Sequence, residues 1–159
     1  MKKIAAILFL AFSIHASVAL AGSDNPLLLG TWKSDRALTT KYNTQIGKAS
    51  RNMAGTVDAK TGHMILTFTT DRLRSTGATQ DIQIDGMADH RAATELDLPY
   101  SIVSGDEHSI EISTRDDISG FTSIMDFNFE DHDTMWVRAG GDGMRVDDPR
   151  IRVYFKRVH

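Results

Sequence analysis

From residue 64 onward the chain alternates between apolar and polar positions. Met64, Leu66 and Phe68 are interleaved with Ile65, Thr67 and Thr69, and Ile82 with Ile84, Tyr100 with Ile102, and Ile110 with Ile112 repeat the same spacing. Phe121, Ser123, Met125, Phe127 and Phe129 share one side of a longer run, opposite Thr122, Ile124, Asp126, Asn128 and Glu130. Met135 with Val137, and Ile151 with Val153 and Phe155, complete the series. A period of two places successive side chains on opposite faces of a strand, so each run predicts a strand with one apolar and one wetted face, as in antiparallel sheets. Turn-forming clusters separate the runs: Ser104-Gly105-Asp106, Asp116-Asp117, Glu130-Asp131-His132-Asp133 and Gly140-Gly141-Asp142-Gly143. Short alternating strands punctuated in this way predict a mainly β, antiparallel domain, either a sandwich or a barrel.

The first part of the chain follows other rules. Leu27–Lys33, after Pro26, reads as an opening strand. Between Ser34 and Ala54 the composition turns to Thr, Lys, Asn, Gln and Ala, and Leu38, Tyr42 and Ile46 recur every four residues. That spacing aligns them on one face of a helix, with Ser34 or Asp35 as its cap and Gly47 as a break. A short helical segment after the first strand is therefore expected. Before it, Lys2 and Lys3 precede an apolar run from Ile4 to Ile14, and Ala19 and Ala21 form a small-x-small pair. This is the pattern of a signal peptide over 1-21, removed after Ala21, with one domain over 22-159 in the periplasm or secreted. The apolar run is shorter than the roughly 20 residues a membrane-spanning helix requires, and no later run resembles it.

Charge narrows the partners. Two of the 18 basic residues lie in the leader and all 21 acids lie after it, so the exported chain is more acidic than the formal −3 of the whole sequence. Such a balance argues against nucleic acid and against a polybasic grip on anionic lipid. With no cysteine, neither a lipid anchor nor a disulfide is available, and the fold rests on its core.

Motifs for catalysis are lacking. The chain has no Gly-x-Ser-x-Gly elbow and no His-Glu-x-x-His pair. His90, His108 and His132 each adjoin acids, while His63 and His159 do not. None has the spacing of a metal pair on a helix, and all three of the first set fall near predicted turns, where such residues are solvated. Asp142, Asp147 and Asp148 do not follow the acid-every-second-residue order of a calcium loop. Neither a metal nor a cofactor is expected, nor is enzyme activity. Met64, Phe68, Phe121, Met125 and Phe127 are candidates to line a pocket for an apolar chain, since Met and Phe adapt to irregular ligands; the plainer reading is that they form core.

Two segments carry a resemblance. Leu29-Gly30-Thr31-Trp32-Lys33 resembles the opening strand of the calycin barrels, the lipocalins and fatty-acid-binding proteins, whose Gly-x-Trp places a Trp across one end of the barrel. The segment around Tyr42, Gly47, Arg51, Ala54 and Gly55 is similar to the helical lid of the fatty-acid-binding branch, and Arg152-Val153-Tyr154 to its carboxylate-holding Arg-x-Tyr. The aromatic–acid part of that branch's signature is missing after Lys33. The resemblance implies a lipocalin-like fold, a single antiparallel up-and-down β-barrel of about 8–10 strands, binding a small hydrophobic or amphipathic ligand such as a fatty acid, with either Arg152 and Tyr154 as its carboxylate ligands or Arg157 stacked on Trp32 to close one end. The alternative is a filled barrel that meets an envelope protein through the acidic turns at Asp106, Asp131 and Asp142.

The phase of the last strand decides between the Arg152–Tyr154 grip and the Arg157–Trp32 closure. Ile151, Val153, Phe155 and Arg157 share one face, and Arg152, Tyr154 and Lys156 the other. Leaving Ile, Val and Phe wet forfeits about 1.5–3 kcal/mol each, and an unpaired buried Arg costs several kcal/mol unless an anion meets it. The balance favours the apolar set inside, although a β-bulge would reverse the phase. Arg138, beyond Trp136, is a further candidate for an inward cation.

Overall fold

The computed structural model describes residues 25–47, 57, 61–77, 80–84, 87–91, 93–115, 120, 122–139 and 150–159; the leader, Phe121 and the Gly-rich loop at Asp142 lie outside them. The described residues form ten strands: β1 (Gly30–Ser34), β2 (Met64–Phe68), β3 (Arg72–Gly77), β4 (Gln80–Ile84), β5 (Met87–Arg91), β6 (Thr94–Gly105), β7 (Ser109–Arg115), β8 (Thr122–Asp131), β9 (Thr134–Arg138) and β10 (Arg152–Val158). Eight of them form a closed barrel in the order β1-β10-β9-β8-β7-β6-β3-β2, with every pair antiparallel. β4 and β5 pair only with each other, as a hairpin inserted between β3 and β6. The predicted up-and-down barrel and the short helix after its first strand are both found.

Register fixes what lies inside. Phe68 pairs with Leu73, and Leu73 with Leu98. Ile110 pairs with Phe127, Phe129 with Met135, and Met135 with Phe155. All of these but Leu98, which is half-buried, belong to one buried apolar cluster that includes Trp32, Leu66, Tyr100, Ile112, Ile151 and Val153. Two irregularities re-aim side chains, as bulges do. One between Ile102 and Ser104 leaves Val103 exposed, and one between Phe129 and Asp131 turns Glu130 toward β10.

Helix α1 (Arg36–Lys41) starts on Asp35, whose side chain accepts from the Leu38 N–H at 2.9 Å. It continues as a wider, π-helical turn over Tyr42–Ile46. The face it buries is not the apolar one expected. Ile46 is 65% exposed and Leu38 and Tyr42 are half-buried, whereas Thr39, Asn43 and Gly47 are buried. Both sets recur every four residues, and the choice between them follows from what the helix covers. β1 pairs with β10 only as far as Ser34 with Phe155, so beyond that point the edge of β10 presents unpaired backbone groups. The Asp35 N–H donates to the Tyr154 carbonyl at 2.8 Å, and the Tyr154 N–H donates to Thr39 Oγ1 at 2.9 Å. Asn43 bonds both ways to Arg152, its Nδ2 donating to the carbonyl at 2.9 Å and its Oδ1 accepting from the N–H at 3.0 Å. Gly47 follows against the Arg150 carbonyl, so close that a Cβ there would sit 3.0 Å from that oxygen. Four residues of helix rise about 6 Å, nearly the roughly 6.6 Å of two strand residues. The helix thus walks along β10 in step with it, and its buried face has to be polar and small.

Replacing Asn43 with Ala leaves a strand N–H and carbonyl without partners. Urea unfolding of N43A is expected to show a loss on the order of 2–3 kcal/mol. Ile46→Ser, on the face expected to be buried, should change stability by no more than about 0.5 kcal/mol.

Candidate functional site

The two ends of the barrel differ. At the first, Trp32 is fully buried and its Nε1 donates to the Leu28 carbonyl at 3.0 Å. The Arg157 guanidinium lies over the Trp32 ring, 4.2 Å from its centre. It donates through Nε to the His132 carbonyl and through Nη2 to the Leu27 carbonyl, both at 2.9 Å, and through Nη1 to that of Leu29. Side chains therefore take the carbonyls of Leu27, Leu28 and Leu29, which explains why this stretch, read as strand from its sequence, is a turn and β1 begins only at Gly30. Gly30 has φ +115°, and a Cβ on it would lie 3.0 Å from Arg157 Nη1. Glycine is required twice over, for its backbone conformation and for the space Arg157 occupies. Trp32 and Arg157 thus stack on each other at this end.

Aromatic rings fill the adjoining half. Trp32 meets Phe129 edge-on at 5.9 Å between ring centres, and Phe68 meets Phe127 at 5.2 Å and Tyr100 at 5.8 Å, both nearly perpendicular. These are favoured geometries for aromatic pairs. Tyr100 also donates from its hydroxyl to the Thr69 carbonyl at 2.7 Å. Phe68 and Phe127, candidates for a pocket, are part of this packed half.

The Asp106 and Asp131 turns cap this end as well. Asp106 accepts from the N–H groups of His108 and Ser109 at 2.7 Å each, and these bonds, that of His108 foremost, hold its carboxyl below the ordinary aspartate range. Asp131 accepts from the Asp133 N–H at 2.8 Å and the Thr134 hydroxyl at 3.0 Å and is lowered for the same reason, the Asp133 N–H foremost. Both carboxylates are engaged within their own hairpins.

β10 runs in the phase that its apolar residues favour. Ile151, Val153 and Phe155 are buried in the core cluster, and Arg152 and Tyr154 face outward, beneath α1. Arg152 is held between two rings, 3.7 Å from the centre of Trp136 and 4.3 Å from that of Tyr42. Its Nη1 donates to the Tyr154 hydroxyl at 3.4 Å, and that hydroxyl donates to Glu130 Oε1 at 2.9 Å. Burial, more than these neighbours, raises the Tyr154 phenol above its usual range. The Arg-x-Tyr pair implied by the resemblance as a carboxylate grip therefore does not enter the barrel. It fastens the helix to the wall, because turning it inward would have put Val153 and Phe155 in water. Arg138 pairs with Arg152 across the strands and is likewise outside, exposed.

The second end is built differently. Leu66 pairs with Ser75, and Ser75 with Leu96, in unbroken register with the inward pairs Phe68–Leu73 and Leu73–Leu98. Leu96 therefore points into the barrel, and yet it is 53% exposed. Met64, Met125 and Val137 pack against the core cluster but are only partly buried. Ser75 and Ser123, on the inward side of β3 and β8, are half-buried too. Here the wall is apolar and wet, with small side chains on β3 (Ser75 and Gly77) opposite large ones. Of the pocket candidates, Met64 and Met125 belong to this mouth. Leu96 and Leu98 escaped notice. For Leu96 and Leu98 the alternation was in the sequence, as Leu96-Asp97-Leu98, with Tyr100 next in phase.

No helix among the described residues is long and apolar enough to cross a membrane. The barrel wall carries Lys33, Arg72, Arg74, Asp97 and Asp126 outward and apolar residues inward, the reverse of a barrel that faces lipid. No group of three or more metal-binding side chains occurs among the described residues. Comparison with family models, curated proteins and solved structures returned no match.

Two outcomes follow from the closed end. Arg157→Lys keeps the charge but loses the planar fork that reaches several carbonyls; a loss on the order of 2–3 kcal/mol is expected on urea unfolding. In a Trp136→Phe background, the R157K change should also move Trp32 emission to longer wavelength. For acid stability, a carboxyl lowered by folding adds stability above its unfolded pKa, and that stability is lost as pH falls through the folded value. A D106N/D131N chain should therefore show a flatter loss of stability than the parent below the ordinary aspartate range.

Proposed function

We propose that this chain is an exported, lipocalin-like carrier whose barrel takes a small hydrophobic or amphipathic ligand through the mouth opposite Trp32. The observation that carries the reading is Leu96, an inward-pointing leucine more than half exposed at the rim of an apolar interior. A barrel that was only a scaffold would gain by covering it, since each exposed large aliphatic side chain forgoes about 1.5–3 kcal/mol of burial. A concave, apolar site with a few polar groups is the usual form of a small-molecule site.

Further support comes from the asymmetry of the barrel. One end is sealed by Trp32, Arg157 and the aromatic stack, so a ligand has a floor. The other end has adaptable Met64 and Met125 at its lip. The Gly-x-Trp start and the helix after β1 agree with a calycin-like plan, and the Lys-Lys leader with small-x-small cleavage supports the periplasm or the exterior as the place of action. In this reading the protein binds without catalysis and without a cofactor.

Purified protein should bind Nile red with increased emission. Leu96→Glu, which sets a charge inside the mouth, is expected to weaken binding at least about tenfold while leaving stability within about 0.5 kcal/mol. Ile124→Glu, at an equally exposed site on the outer wall (56%), should bind as the parent does. Equal weakening by both variants, or none by L96E, would sink the proposal.

A further inference from the structure

Away from the sealed end, the inward side of the described strands is not only apolar; it is uncharged. Following the register from β1 to β10, the inward positions of the described barrel strands hold Trp, Ser, Gly, Met, Leu, Phe, Thr, Tyr, Ile, Val and Ala. One charge shares that side, Arg157, and its guanidinium is taken up by the carbonyls of Leu27, Leu29 and His132 and by the Trp32 face, at the sealed end. The cations best placed by sequence to meet a carboxylate, Arg152 and Arg138, lie on the outer wall.

Within the carrier reading, on which this inference rests, we propose that the ligand is an uncharged amphiphile of the long-chain alcohol or acyl-ester class, and not a fatty-acid anion. An anionic head group drawn in along the described strands would give up water and meet no cation on their inward side at this end, a cost large enough that such a group protonates or stays outside. The polar groups the mouth does offer are hydroxyls. Ser75 and Ser123 point inward, are half-buried, and make no hydrogen bond to the described residues. A serine hydroxyl both donates and accepts, which matches an alcohol or an ester carbonyl and does nothing to neutralise a charge. Ser75 sits between Leu66 and Leu96 in its cross-strand row, so a head group bonded there would have apolar contacts on both sides.

The test is displacement of Nile red from the full chain at pH 8 by hexadecanol, methyl palmitate and palmitate. Hexadecanol and methyl palmitate are expected to displace the dye at concentrations at least about tenfold lower than palmitate. Palmitate should gain on them as pH falls and its carboxyl becomes neutral. Leu96→Lys, at a half-exposed position that does not threaten folding, supplies the missing cation and should reverse the order. Palmitate binding as tightly as the alcohol in the parent, or an order unchanged in L96K, overturns the proposal. If Nile red itself does not bind, the carrier reading fails and this inference falls with it; if the dye binds and palmitate wins, only the inference fails.

Discussion

A closed barrel has to pair every strand edge, and β1 of this protein is too short to do so for β10. Much of the upper structure answers that shortfall. The chain leaves β1 at Ser34 and turns at once into a helix, and the helix gives β10 the hydrogen bonds a longer β1 would have given. Buried backbone groups without partners are rare in proteins because each forfeits the water it left. That one rule places Thr39, Asn43 and Gly47 against the strand and turns Ile46 out to solvent. It also decides the fate of Arg152 and Tyr154, which become the outer clasp of the helix because the positions between them have been claimed by the core.

The closed end applies the same logic with a charge. Arg157 carries donors in a fixed fork, and the turn before β1 offers carbonyls in the right places. The stacking on Trp32 and the space left by Gly30 complete an arrangement in which a cation is desolvated but fully partnered, the condition under which a buried charge is tolerated. Among the described residues the inward wall at the other end is hydrocarbon and hydroxyl. The described strands are therefore polarised along the barrel axis: aromatic and charge-capped at one end, aliphatic and neutral at the other.

The legible part of the sequence was its period of two. Alternation from Met64 to Phe155 gave the strands, and the apolar set of β10 gave its phase. Gly30 and Trp32, with Arg157, gave the sealed end. The helix was legible as an element and misleading as a surface. Two four-residue repeats overlap there, one apolar and one polar, and hydrophobicity selects the first; only knowledge that a bare strand edge lay beneath would have selected the second. For the same reason the Arg-x-Tyr motif, read by resemblance, pointed inward when the core had already claimed that side. The mouth was hidden because Leu96 is an ordinary apolar strand residue, and its exposure depends on which strands rise past it. The turns at Asp106 and Asp131 read as free acidic surface, whereas their carboxylates are spent on the N–H groups of their own hairpins.

The pairing of β1 with β10 also has a bearing on time. Arg157 and Leu29, which meet at the sealed end, are 128 residues apart in the chain, and the loop they close spans most of it. Contacts at such separation come late in folding, since the entropy of closing the loop is met before the contacts reward it. Until β10 arrives, one edge of β1 lies bare and the barrel is an open sheet with its apolar face to water. A chain of this topology stays unclosed while it is being made, N-terminus first, and shuts only when its last strand is free.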